Sequence, residues 1–305
     1  MTTLKKLKKV RAYRSNLTTF NGEQDNSNLF YERQLTPDNR PIHITYYDKN
    51  GEERLVESFK YDEKGNLIEE INNHIDEERL EMNTWKYDGA GNLIEECEYY
   101  EDELFEKTIH NYNSLNQKIS TSHLDSDDNV LDNNTFEYND HGKLLKHNHF
   151  DEQGTLDWSL DLEYDAQGNA IKETKHNYLE KTSEITIHNF DLQGNRLDST
   201  SQTDQGEVLS ILEEEYDDAG NHVETVAKSK YPYVSHTIRT TEYDEQGRAT
   251  ANQLFDEMNN YLLSREIIEY DEDGHPSSQE IYELRTGQGM IKTHFMLTFD
   301  NEYWD

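Results

Sequence analysis

Apolar and polar side chains alternate along most of this chain. Ring or aliphatic residues stand two apart in Phe59 and Tyr61, Trp85 and Tyr87, Phe136 and Tyr138, Leu160, Leu162 and Tyr164, and Ile268 and Tyr270. A period of two is the signature of a strand that presents one face to its neighbours. Each stretch runs into a segment that reads aromatic, Asp or Asn, two variable residues, then Gly. In Tyr61-Asp62-Glu63-Lys64-Gly65-Asn66 the Asp carboxylate can bond the backbone of a type I turn, and Gly65 supplies the positive φ that closes a hairpin. An aliphatic pair then resumes the strand, as in Leu67-Ile68, Leu93-Ile94 and Leu144-Leu145. Weaker turn signals, such as Tyr47-Asp48-Lys49-Asn50-Gly51 and Phe150-Asp151-Glu152-Gln153-Gly154, fall between the strong ones. The pattern predicts two strands and two turns per unit.

The unit repeats. Its aromatic residue is Tyr61, Tyr87, Tyr112, Tyr138, Tyr164, Phe190, Tyr216, Tyr243, Tyr270 and Phe299, at intervals of 25 to 29 residues. Gly occupies the same place in eight copies, and Asn116 stands in once as the residue next best suited to a left-handed conformation. Ten such units predict about 20 antiparallel strands in sequential order. Open sheets seldom exceed about 10 strands without curling, and at about 4.8 Å per strand the array would extend roughly 95 Å. An arc or spiral is expected, each unit resting only on its neighbours.

The Tyr-Asp-x-x-Gly turn followed by Leu resembles the YD repeat of bacterial Rhs and insecticidal toxin-complex proteins and of the related animal teneurins. The resemblance covers about 260 of the 305 residues. It departs after the Gly, where the family commonly has Arg and this chain has Asn66, Asn92, Asn169, Asn195 and Asn221, with Arg only at Arg248. In the family the repeats form a spiralling β-shell around a toxic cargo. The resemblance therefore implies an all-β fold, here an elongated, curled antiparallel β-meander of about ten 26-residue two-strand YD-like repeats. With no toxin domain expected after Asp305, it implies a short arc and not a container.

Composition narrows the picture. Only 32% of residues are hydrophobic and the net charge is −35, yet 11% are aromatic, which argues for a thinly built fold over disorder. No apolar run approaches the length of a membrane-spanning helix, so no membrane insertion is expected. The start lacks the apolar stretch of a secretory signal and Cys97 is the single cysteine, so a cytoplasmic location is expected. The first 14 residues hold Lys5, Lys6, Lys8, Lys9, Arg11 and Arg14 without an acid, and Leu4, Leu7 and Val10 stand at helical spacing. A short basic helix is expected there. Residues 1–29 thus read as a basic segment and polar linker, and 30–305 as one repeat array.

No catalytic signature emerges. His147 and His149 share a strand face but lack further ligands, and the acids of 125–129 are explained by a turn without calcium. Neither metal nor cofactor is expected. The paired acids Glu69-Glu70, Glu95-Glu96 and Glu213-Glu214-Glu215 alternate between strand faces, which suits a solvated acidic surface better than an acid/base couple. Tyr99, Tyr100, Tyr231 and Tyr233 lie near the weaker turns and are candidate anchors. A surface of this sign repels nucleic acid and attracts basic proteins. The expected function is binding without catalysis, as an immunity protein, antitoxin or inhibitor that covers a basic toxin or nuclease. The alternatives are a scaffolding or carbohydrate-binding shell module, and a regulator released by cleavage within 15–29. Self-association through the end strands is a further expectation.

Overall fold

The computed structural model describes residues 5–17, 27–231, 233–285 and 291–304, and every regular element among them is a β-strand. The chain divides into two compact units. The first holds β1 (Leu7–Asn16), β2 (Asn28–Leu35), β3 (Pro41–Tyr47), β4 (Glu53–Tyr61), β5 (Leu67–His74), β18 (Ser235–Tyr243), β19 (Ala249–Asp256), β20 (Tyr261–Tyr270), β21 (Pro276–Arg285) and β22 (Ile291–Tyr303). These pair antiparallel from β18 through β22, then β1, then β2 to β5.

The second unit holds β7 (Leu93–Tyr100), β8 (Glu103–Tyr112), β9 (Lys118–Asp125), β10 (Val130–Tyr138), β11 (Leu144–Phe150), β12 (Leu156–Tyr164), β13 (Ala170–Asn177), β14 (Thr182–Phe190), β15 (Arg196–Thr203) and β16 (Val208–Tyr216). Each pairs with the next. β6 (Arg79–Tyr87) and β17 (His222–Ser229) contribute residues to both units, as do β16 through its last residue, Tyr216, and β18 through its first two, Ser235 and His236.

The expectation of an open, curled meander is overturned. All 22 strands belong to one sheet, and β1 pairs with both β2 and β22. By hydrogen-bond connectivity the antiparallel sheet closes on itself through β1, and neither the first nor the last strand is left as a free edge. The expected helix also fails, because Leu7–Asn16 is the closing strand. A register shift between Leu7 and Lys9 inserts Lys8 as an extra residue against β22. That bulge puts Leu7 and Val10 on one face although they stand three apart, so the strand imitates helical spacing. Residues 1–4, with Leu4, and most of the expected linker, 18–26, lie outside the described residues.

Closure concentrates the apolar core. Leu7, Val10 and Leu35 are buried against Tyr31, Phe299 and Tyr303, and Ala12 is fully covered. Each large aliphatic side chain buried in this way contributes about 1.5–3 kcal/mol. Charge holds the same strand: Arg11 reaches Glu302 at 2.7 Å, Glu32 at 2.9 Å and Asp300 at 3.1 Å, while Lys9 meets Glu32 at 2.7 Å. The hydrogen bond to Glu302, with that to Glu32, pushes the Arg11 guanidinium further above its ordinary range.

The strong turns share one construction. Asp62 N–H donates to the Asn66 carbonyl at 2.9 Å and Gly65 N–H to the Asp62 carbonyl at 3.0 Å, a type I turn closed by a left-handed residue. Asp62 Oδ1 accepts from Lys64 and Asn66 N–H, and the Asn66 amide donates to Oδ2 at 2.9 Å. The Asn after the Gly therefore ties down the second carboxylate oxygen, as it also does at Asp88, Asp165, Asp191 and Asp217. Arg248 does the same through Nε at 2.7 Å and lays its guanidinium over the Tyr270 ring of the following unit.

Consecutive units are stapled by the repeat Tyr. Its hydroxyl donates to the carbonyl that opens an earlier strand: Tyr61 to Pro41, Tyr112 to Leu93, Tyr138 to Lys118, Tyr164 to Leu144, Tyr243 to His222 and Tyr270 to Ala249, all at 2.8–2.9 Å. Partial burial pushes the phenols of Tyr112, Tyr138 and Tyr164 up from their usual range. These contacts explain why the recurring ring is mostly Tyr and seldom Phe.

Candidate functional site

In a sheet of sequential antiparallel strands all turns of one kind lie along one edge and the others along the opposite edge. In the second unit the Asp-type turns are 88–92, 113–117, 139–143, 165–169 and 191–195. The opposite edge carries 101–103, 125–129, 151–155, 178–181 and 204–207. The two edges differ chemically. The Asp-type turns hold four carboxylates, of which Asp88, Asp165 and Asp191 are occupied in holding the turn itself. The opposite turns hold eleven carboxylates and one Lys.

On that edge Asp125 and Asp151 bond their own turns, and Asp128 pairs with Lys107. Among the described residues no cation meets Glu101, Asp102, Glu103, Asp127, Glu152, Glu180, Asp204 or Glu207, and all eight are exposed. Alternate hairpins stand about 10 Å apart, close to one Debye length at physiological salt. Their fields therefore overlap and act as one negative band.

Glu101 and Asp102 carry that charge at a conformational cost. Both have positive φ, 49° and 66°, in a two-residue hairpin where Asn-Gly would be the easier pair. An L-residue pays roughly 1–2 kcal/mol for this conformation, somewhat less for Asp. Exposed apolar groups stand beside the acids: Tyr100 and Phe105 near the β7–β8 turn, Val130 after the next, Tyr178 and Leu179 at the β13–β14 turn. Tyr231 and Tyr233 are 71% and 82% exposed, with Val234 alongside. Pro232, between the two Tyr residues, lies outside the described residues.

The candidate residues read from the sequence separate into two groups. Glu69 pairs with Lys60 at 2.5 Å, Glu95 with Lys86 at 2.5 Å, and Glu213 with Lys228 at 2.9 Å. Arg196 grips Glu214 through two nitrogens at 2.8 and 2.9 Å. Glu96 accepts from Trp85 Nε1 at 3.1 Å and is 2.7 Å from His110 Nε2. Glu70 accepts from the Asn72 amide at 3.2 Å, and Glu215 is exposed. Most of these acids are thus spent within the sheet. Tyr100, Tyr231 and Tyr233 are exposed, Tyr99 half-buried, and all four lie on the edge with the uncompensated acids. Sequence reasoning missed Glu101, Asp102 and Glu103, and weighed Asp127 only as one of the turn acids of 125–129. The available signal was the crowding of acids into the weaker turns.

No group of three or more His, Cys, Asp or Glu side chains among the described residues is arranged to hold a metal. His147 and His149 instead share the side-chain Oδ1 of Asn134 at 2.8 and 3.3 Å and pack against Trp158. Among the described residues no helix is long and apolar enough to cross a membrane.

No family model matches this chain, and no curated protein matches it. Among solved structures, the TcdB2-TccC3-Cdc42 crystal structure is similar at 14% identity and a TM-score of 0.36, over 92% of this chain and 19% of that one. The TcdB2-TccC3 structure is similar at 12% identity and a TM-score of 0.34, over 96% of this chain and 20% of that one. A porin-like protein from Bacteroides uniformis aligns at 9% identity and a TM-score of 0.35, over 98% of both chains. The chain spans about a fifth of the length of the toxin-complex chains.

Proposed function

We propose that the chain is a binding protein that acts without catalysis and covers a basic protein, such as a toxin or nuclease, in the manner of an immunity protein or inhibitor. The observation that carries this reading is the Glu101-Asp102 turn, where two acids occupy left-handed positions beside exposed Tyr100 and Phe105. Conformational cost retained at an exposed charged site argues for use of that charge. Acids without internal cations steer an oppositely charged partner, and rings next to them supply the buried contact after encounter. The turn chemistry, Asp-x-x-Gly with the stapling Tyr, supports reading the units as YD-like repeats.

The test uses purified basic proteins encoded beside this chain, with a neutral protein of similar size as control. Binding should weaken steeply with salt. Replacing Glu101, Asp102, Glu103 and Asp127 together by Lys should lower affinity at least about a hundredfold, near 2.7 kcal/mol, while Glu69→Gln and Glu95→Gln leave it unchanged. Equal affinity of the Lys variant and the parent would sink the proposal. A salt-independent interaction with glycans would favour the carbohydrate-binding alternative instead.

A further inference from the structure

A second site is built into the first unit on a cation. Arg33 lies on β2, in a chain whose acids outnumber its bases 64 to 29. Even so, among the described residues its guanidinium has neither a carboxylate partner nor a hydrogen-bond acceptor, and its Nε is shielded from solvent and unpaired. Arg40 and Arg79 also have an unpaired Nε, but their terminal nitrogens are engaged by Gly65 and Glu81. Leaving such a group unsatisfied in a shielded position costs free energy that an anion would recover.

Arg33 lines a cavity of about 230 Å³ whose apolar wall is formed by Leu7, Val10, Tyr31, Ile268 and Phe299. The side chains of His275, Gln279 and Asn301 there are already committed. His275 Nε2 meets the Lys5 carbonyl at 2.7 Å, Gln279 donates to Glu266, and Asn301 donates to Asp271 and to the Pro276 carbonyl.

We propose that this cavity binds a small organic monocarboxylate with an apolar body, its carboxylate held by Arg33 and its body by the rings and aliphatic side chains opposite. The planar guanidinium fork matches a carboxylate. The volume lies below that of drug-sized sites, which limits the ligand to about one ring. The large negative charge of the chain disfavours a polyanion by long-range repulsion, whereas a monoanion with apolar surface gains from burial what it loses to that field.

The experiment uses the intact chain and benzoate as probe, with benzamide as its neutral isostere and inorganic phosphate as an anion without an apolar body. Benzoate should shift the Arg33 Nε–H resonance in a saturable way and raise the melting temperature. Benzamide and phosphate should each bind at least about tenfold more weakly. Arg33→Met, which removes an unpaired charge and should remain folded, should weaken benzoate binding at least about tenfold. Equal binding of benzoate and benzamide, tighter binding of phosphate, an unmoved Arg33 resonance, or unchanged affinity in Arg33→Met would each overturn the proposal. Should Arg33→Met fail to fold, the resonance shift and the benzamide comparison on the native chain decide it.

Discussion

The two turn edges of the second unit both close antiparallel hairpins, yet they spend most of their carboxylates in opposite ways. At 88–92 the Asp88 carboxylate accepts from Ala90 and Asn92 N–H and from the Asn92 amide, while Gly91 takes the left-handed position. At 101–103 the left-handed positions fall to Glu101 and Asp102, and their carboxylates face solvent. An acid therefore has two uses in this fold. Bonded inward it makes a hairpin; left outward it makes a field. Only the second kind is available to a partner.

Acid titration should separate these uses most strongly. Hydrogen bonds from Asn66 and Asn92 hold the Asp62 and Asp88 carboxyls below their ordinary range, and the amide of Asn221 does the same for Asp217. A carboxyl whose folded pKa is depressed stabilises the fold above its unfolded value, and that contribution disappears as the pH falls through the folded one. The chain should thus hold its strand signal in circular dichroism down to about pH 4 and lose it progressively below. Asp62→Asn and Asp88→Asn, which reproduce the native choice at Asn113 and Asn139, should keep the turn and flatten that acid transition. If they leave its pH dependence unchanged, these turns are not its source.

Gly91→Val comes next. Gly91 sits at φ 94° with open space where a Cβ would fall, so the loss is conformational alone, about 1–2 kcal/mol in chemical denaturation. A smaller effect is expected at the staple: Tyr112→Phe removes the bond to the Leu93 carbonyl and should cost about 1 kcal/mol. The reverse change, Phe190→Tyr, should restore such a bond where the native chain lacks the hydroxyl, with a gain no larger than that loss. The smallest effect has the opposite sign. Asp102→Gly should stabilise the chain by up to about 1 kcal/mol while weakening capture of a basic protein. A destabilised Asp102→Gly variant would show that this acid serves the turn after all, and would erase the contrast between the edges.

Much of this was legible along the chain because it is local. Alternation at Phe59 and Tyr61, the Asp-x-x-Gly turns and the substitution by Asn116 all concern residues within a few positions of each other, where backbone sterics and short hydrogen bonds decide the outcome. The acids of the candidate surface were less legible. Glu69, Glu95 and Glu214 stand out in sequence as members of acidic pairs or triplets, but their cations Lys60, Lys86 and Arg196 come from neighbouring strands. Register, and not proximity in sequence, settles which charges remain free.

The sequence by itself determined an antiparallel all-β chain and the place of its strong turns, since each depends on side chains that reach only their own backbone. Tertiary structure alone decided that the sheet closes. Joining Leu7–Asn16 to Ile291–Tyr303 depends on pairings such as Arg11 with Asp300, almost the whole chain apart. No local propensity encodes such a contact. It required the bulge at Lys8, the buried Val10 and Ala12, and a basic strand arriving between Glu32 on one side and Asp300 and Glu302 on the other.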